Sequence, residues 1–381
     1  MRHPLRSVAV AGVAALASTV VLALPAQARE HKTWTVWPGT GTITEAVNKA
    51  SPGDTLKLRP GLFLDSVAVT KSLTIRGSGW STVIMPPPSP NSLCDTPATA
   101  GSPASVEGLC VVGALDKKGN AKGPAVVGVS ISDLRTTGFS DSGVIGLNTS
   151  RLKVQSVKSD RNGGYGIARF QSTGSVFSDN WTSWNTEAGL YMGDSPNGYS
   201  VARDNKSDHN GFGIFMRDST HLTATDNKSW GNCVGILALN SGSGAPGDRP
   251  AGNYRITDNQ VWANNMACPA SGGPPTSGIG IALAGVHDTL VFDNTVNGNA
   301  STSPSVAHGG IVIISTLFAG GANPTRNTVV DNSAHGNRPA DIFWDGSGFG
   351  NKVVDNECSR AIPGHLGGAT VTTNFGQSGR N

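Results

Sequence analysis

The 381-residue chain carries 29 basic and 26 acidic side chains, 50 glycines and only 14% charged residues. So balanced a charge gives no footing for nucleic acid, and an acidic polymer would have to be held by a local patch. Abundant Gly, Asn and Ser suit an all-β chain, and although the length alone would suggest two domains, a repeat array growing along one axis escapes that expectation.

Residues 1–28 place Arg2 and Arg6 ahead of an apolar stretch from Val8 to Leu24, closed by Pro25-Ala26-Gln27-Ala28. This pattern predicts a signal peptide, and no other apolar run is long enough to span a bilayer. The remaining chain, 29–381, is expected to be exported, soluble and extracellular, with a net charge of about +1.

From Thr33 the chain reads as the blunt end of a solenoid. Ile43, Ala46, Val47 and Ala50 form one face of a short helix that Ser51-Pro52-Gly53 ends, and strands are predicted at Thr55–Leu58, Val67–Val69 and Leu73–Ile75. An amphipathic helix over the first coil would shield an open apolar end and its unpaired strand edge. Residues 85–124, with Met85-Pro86-Pro87-Pro88, read as an irregular excursion. Further excursions fall at 241–253, 265–278, 300–308 and 316–326, and loops gathered on one part of a rigid scaffold are where function tends to sit.

Between about 125 and 358 a unit repeats. Asp-Asn-x4-Asn occurs at Asp179-Asn180 with Asn185, Asp204-Asn205 with Asn210, Asp226-Asn227 with Asn232, Asp258-Asn259 with Asn264, Asp293-Asn294 with Asn299 and Asp331-Asn332 with Asn337; a weaker copy keeps only Asn162. The steps between frames are 25, 22, 32, 35 and 38 residues, the longer ones carrying Gly/Pro/Ser-rich inserts. A period that tolerates insertion at fixed places marks stacked coils. Apolar runs alternate with period two, so the coils are made of strands. One inward column is predicted at Val144, Ile167, Leu190, Ile214, Ile236, Ile281, Ile311 and Ile342, and another at Phe177, Ala202, Ala224, Ile256, Val291, Val329 and Val353. The Asn columns are then turn ladders, with Asn taking left-handed geometry or bonding the coil above.

These repeated Asp-Asn-x4-Asn-Gly-x-Gly-Ile units, with the opening segment AVNKASPGDTLKLRPGLF, resemble the right-handed parallel β-helix proteins of the pectin-lyase-like superfamily. The resemblance implies an all-β, single-stranded right-handed parallel β-helix with an N-terminal capping helix, and it covers nearly all of the chain after the leader. It is poor for activity, because the superfamily holds pectate and alginate lyases, polygalacturonase-like hydrolases, uronate epimerases and non-catalytic adhesins. The chain lacks the Asn-Thr-Asp, Asp-Asp and Gly-His-Gly set of the hydrolases, Ala307-His308-Gly309-Gly310 does not replace it, and the Asp-Pro-His motif of alginate C5-epimerases is missing. No catalytic residue transfers by family.

Five cysteines in an exported chain predict pairing with one left over. Cys94 and Cys110 bracket one loop, Cys233 and Cys268 follow equivalent Asn positions of adjacent coils, and Cys358 falls on the inward column of Val296 and Ala334. Disulfides Cys94–Cys110 and Cys233–Cys268 with a free buried Cys358 follow. The Asp column from Asp179 to Asp355 reads as turn caps rather than a cation rail, and no metal or cofactor is indicated, with a calcium requirement left open. The N-x-S/T triplets at Asn180, Asn205, Asn227 and Asn299 fall on the ladders; Asn148 does not, and is expected at an exposed strand end.

The candidate site is the outward rim of the strand after each Gly in the middle coils. Arg217, Asp218, Asp194 and Tyr191 are the candidate catalytic residues: a guanidinium to hold a uronate carboxylate, carboxylates or a phenolate to take a proton. Phe215 and Asn240 are candidate substrate contacts. His287 and His308, each beside an insert, are expected to share a cleft. Two functions remain open. One is binding or processing of a polysaccharide or cell-wall glycan, by lyase, epimerase or hydrolase chemistry; the other is a non-catalytic cell-surface scaffold or adhesin. A groove of mutually bonded Asp, Arg, His and Tyr would favour the first, a flat face of Thr, Ser and Asn the second. A monomer without membrane insertion is expected in either case.

Overall fold

The computed structural model describes residues 30–90, 92–97, 99, 104–243, 251–270 and 273–362, with the backbone of 371–373. The predicted leader lies outside the described residues. From His31 onward the chain winds as a parallel β-helix of three faces. One coil shows the plan: Ser200–Arg203 lies on the first face, Lys206–Asp208 on the second and Phe212–Ser219 on the third. The strands of these faces pair in parallel, each interior one with the coil before and the coil after, and the third face is a sheet of 11 strands.

Both predicted inward columns are present in register. Val144, Ile167, Leu190, Ile214, Ile236, Ile281, Ile311 and Ile342 pair one above another on the third face. Phe177, Ala202, Ala224, Ile256, Val291, Val329 and Val353 do so on the first. All are buried in one continuous core. Strand alternation sends every second side chain into it, which is why the pattern was readable as period two.

Corners must turn in this dry core without stranding backbone groups, and the asparagines accomplish it. Asn205 donates from its amide nitrogen to Asn227 Oδ1 at 2.9 Å and to the Phe177 carbonyl at 2.9 Å, while its backbone N–H reaches the same Asn227 Oδ1 at 3.0 Å. The pattern repeats from Asn180 to Asn356. A second ladder runs from Asn162 to Asn337 at the next corner and ends on Asp341 Oδ1. The left-handed conformation expected of Asn belongs instead to the Asp before it, with φ of 51 to 60° from Asp179 to Asp355. Asn is thereby left in a conformation that aims its amide along the helix axis. The glycine before each Ile has a steric cause: a Cβ on Gly213 would come within 2.1 Å of Ser229 Oγ and 2.4 Å of the Gly235 carbonyl.

The helix Thr42–Lys49 caps the first coils with Ile43, Ala46 and Val47 buried. Its N-terminus is held by Asp65, whose Oδ2 accepts the amides of Ile43 and Thr44 at 2.9 and 3.0 Å. Disulfides join Cys94 to Cys110 and Cys233 to Cys268, and Cys358 is a buried free thiol in register with Ala334. Two expectations need correction. The excursion 85–124 contains a regular third-face strand, Leu109–Val112, fully buried between Val67–Val69 and Val144–Leu147. Asn148 is not exposed: it is 7% accessible and donates to the Ala114 carbonyl at 2.7 Å.

One core position breaks the apolar rule. Arg169 stands between Gly146 and Met192 in an inward column, wholly buried. Its Nη1 donates to the Ser172 carbonyl at 2.9 Å and to Ser195 Oγ, while Nε and Nη2 find no partner among the described residues. Burial pulls its pKa down to about 10. Met192 and Met216 fill the next two places of this column, so Arg169→Met should raise stability by about 1–4 kcal/mol, read as a higher denaturant midpoint. Asn227→Ala should lower the midpoint, because it strands the backbone and amide N–H groups of Asn205 that share Asn227 Oδ1, at about 1–3 kcal/mol per stranded group.

Candidate functional site

The third face turns its other side chains outward, and there a cleft of about 950 Å³ opens. Register places Tyr191, Phe215, Leu237 and Ala282 in one outward row and Gly193, Arg217, Leu239 and Ala284 in the next. The walls come from the inserts. Residues Met266–Pro269, Gly273, Pro274, Thr276 and Val306 border one side, and Asn240, Ser241, Ser243, Thr316, Phe318 and Ala319 the other. The Cys233–Cys268 bridge fastens the first wall to the start of the Val234–Leu239 strand.

At one end lies the polar group. Arg217 donates from Nε to Asp218 Oδ2 at 3.1 Å and from Nη2 to Ser241 and Ser243 Oγ at 3.1 and 2.8 Å. Burial works against the Arg217 cation, but Tyr191, Asp194 and Asp218 together hold its pKa above the usual arginine value. Asp218, fully buried, also accepts the Ser241 amide and hydroxyl at 2.8 and 2.5 Å and the Ser243 hydroxyl at 3.2 Å. It therefore orients Arg217 and pins the wall at 241–243, and its lone pairs are committed. Tyr191 is outward but covered, stacked on Phe170 at 4.5 Å and against Tyr165 at 4.8 Å and Phe215 at 5.2 Å. It donates to Asp194 Oδ2 at 2.8 Å, and burial, then the Asp194 charge, drive its pKa well above the phenol value. The phenolate role is thus unavailable to it. Phe215 and Asn240 line the cleft.

The two histidines are separated. His287 follows the strand Ile279–Ala284 at its far end and bonds Asp288 at 2.8 Å, in a group with Arg326. His308 precedes the paired strand Gly309–Ile314 and lines a separate depression with Ser301, Arg338 and Arg360. A strand length, on the order of 20 Å, lies between them, so the shared cleft expected for them does not exist.

Four lining residues were not singled out in the sequence: Tyr165, Glu187, Trp184 and His209. Glu187 is half-buried, and burial followed by the Asp141 charge raises its pKa, with Arg217 opposing. Trp184 stacks on His209 at 4.5 Å, and His209 Nδ1 bonds Asp208 at 2.8 Å. Glu187 was legible as one of two carboxylates, with Asp141, in the row that also holds His308, three residues before each inward Ile, Leu or Val. Among the described residues no three His, Cys, Asp or Glu side chains are placed to hold a metal ion, and no helix is long and apolar enough to cross a membrane.

Fold and cleft together define a single-stranded right-handed parallel β-helix of pectin-lyase-like type with an outward cleft on its third face. Residues 142–375 match the model of the right handed beta helix region, and the chain belongs to that family. Comparison with curated proteins by sequence gives no match. Among solved structures the chain is similar to the A-modules of two mannuronan C-5 epimerases of Azotobacter vinelandii. For one the TM-score is 0.58 at 16% identity, covering 86% of this chain and 93% of that one; for the other the values are 0.60, 14%, 88% and 94%. It is also similar to DFA-IIIase of Arthrobacter chlorophenolicus A6, without its lid and in complex with GF2, with TM-score 0.54, 13% identity and coverage of 86% and 83%. At these identities the likeness is one of fold.

Glu107, 7% accessible, sits at the start of the same face beside Asp141, and burial, then Asp141, raises its pKa from 4.5 to about 8. The folded form keeps a proton that the unfolded chain releases, so this residue's contribution is full below pH 4.5 and is lost as pH rises to about 8. Glu107→Gln should flatten that decline in denaturation midpoints measured from pH 5 to 8.

Proposed function

We propose that the protein is an exported glycan-processing β-helix that takes an acidic sugar of a polysaccharide into the third-face cleft. Arg217 is the carboxylate clamp and Glu187 the acid–base group. The observation that carries this reading is the presence, on adjacent coils of one cleft, of a guanidinium held in place by Asp218, Ser241 and Ser243 towards the end of its strand and a half-buried carboxyl of raised pKa at the start of the neighbouring strand, close enough for the Arg217 charge to act on it. A fixed cation neutralises a uronate carboxylate and so acidifies the adjacent C–H, the step that lyase and epimerase chemistry share, and a carboxyl with raised pKa is suited to proton transfer near neutrality. The Trp184–His209 stack at the mouth offers a face for a sugar ring.

Two further points support a processing role over an inert scaffold. Arg217, Asp218, Tyr191 and Asp194 are clustered and mutually engaged rather than spread over a flat face of Thr, Ser and Asn. The epimerases that share the fold are named for mannuronan, a uronate polymer. Asp218, Asp194 and Tyr191 act by positioning, through Arg217 and the aromatic block.

The test is a panel of uronate polysaccharides and oligosaccharides, followed by unsaturated product, reducing ends and proton exchange at C5. Arg217→Ala should weaken uronate binding about 100-fold. Glu187→Gln should cut turnover at least about 100-fold with binding and melting temperature nearly unchanged. Wild-type turnover in both variants would remove the site from this cleft.

A further inference from the structure

Beyond Arg217 the cleft changes character. Its floor is Leu237, Leu239, Ile279, Ala282, Ala284 and Ile314, contributed by successive coils in register. Its rim carries exposed apolar groups: Phe318 is 67% accessible, Trp184 54% and Val306 43%. A sugar polymer presents hydroxyls on nearly every carbon, and each one laid on this floor would lose its water without gaining a partner. Bare uronate therefore suits the Arg217 end only.

We infer that the acidic glycan taken by this protein bears an aliphatic acyl or alkyl group, which lies along the trough while the acidic sugar is held at Arg217. The inference rests on the reading of the cleft as the glycan site. Charge fixes the orientation, since Arg217 stands at one end of an otherwise apolar row, Arg217, Leu239, Ala284 and Ile314. Four coils at about 4.8 Å spacing make this row about 14 Å long, enough for an extended chain of roughly ten carbons. Ala282 and Ala284, small and on one coil between Leu237 and Leu239 on the coil before and Ile314 on the coil after, deepen the floor part-way along the row. Its walls are held by Cys233–Cys268 on one side and by Asp218 bonded to Ser241 and Ser243 on the other, so the trough exists before a ligand arrives.

Methyl, octyl and dodecyl glucuronides, below their micellar concentrations, are the probes, read by calorimetry and by tryptophan fluorescence. Affinity should rise roughly threefold to fourfold per methylene until the trough is filled. In Ile314→Asn, at the far end, the dodecyl-to-methyl affinity ratio should fall about tenfold, with the melting temperature showing that the variant is folded. Dodecyl binding no tighter than methyl binding overturns the inference, while leaving the glycan reading standing if methyl glucuronide binds and Arg217→Ala abolishes it. Chain-length dependence that survives Arg217→Ala keeps the trough and sinks the acidic-sugar reading. Dodecyl binding that emerges only after residues 244–250 are replaced by a short Gly-Ser linker would mean that the chain's own loop fills the trough. A dimer in sedimentation that the dodecyl glycoside dissociates would mean that a second copy does. Either result overturns the proposal.

Discussion

The amide-to-amide hydrogen bond between asparagines of successive coils is the contact on which the rest depends. A coil has to turn at a fixed place, and a turn in a dry core exposes N–H and C=O groups to no solvent. Each Asn answers this for its own corner and for its neighbour's, taking the backbone N–H and the side-chain amide of the preceding Asn on one oxygen. Because the same atom serves both, a coil out of register by one residue would break both bonds at once. The ladders thus set the alignment of the apolar columns, and with it the straight rows of the outer face.

That constraint explains what the sequence revealed. Columns and ladders repeat, so Ile236 or Asn227 could be placed by counting from their neighbours. Features built from one coil's singular residues could not be found that way. Asp65 caps a helix more than twenty residues away. The third corner, where Ser172, Ser195 and Ser219 bond in series, uses a residue too common to stand out. Tyr191 was correctly expected to face outward, but its cover of Tyr165, Phe170 and Phe215 is assembled from the coils on either side and is invisible along the chain. His287 and His308 were grouped because both adjoin inserts, and inserts at the two ends of a strand are adjacent in sequence while lying a strand length apart.

The cleft divides labour between rigid and variable parts. Its floor belongs to the sheet and inherits the ladder's precision; its walls are inserts, tied down by a disulfide and by a buried aspartate. Asp218 is notable in this respect because it occupies a left-handed position, φ 44°, directly after the arginine it orients. The backbone turn that ends the strand also aims the guanidinium, so the charge is placed by the fold rather than by a flexible loop.

The second ladder ends on Asp341, whose Oδ1 accepts from Asn337 and whose Oδ2 accepts the amides of Ser359 and Arg360. A carboxylate can receive but cannot pass a hydrogen bond onward, so this corner has a chemical stop at its C-terminal side. Lineages of this fold can lengthen by duplicating an interior coil, since any unit that both donates and accepts slots between two others. The coil that follows Asp341 in this chain, where Ala361 and Ile362 pair with Ile342 and Phe343, meets it with backbone amides instead of an asparagine. The asparagine repeat is in this way interchangeable unit for unit only in the middle of the molecule, where the inserts and the cleft are, whereas its last corner is closed by a carboxylate and two backbone amides.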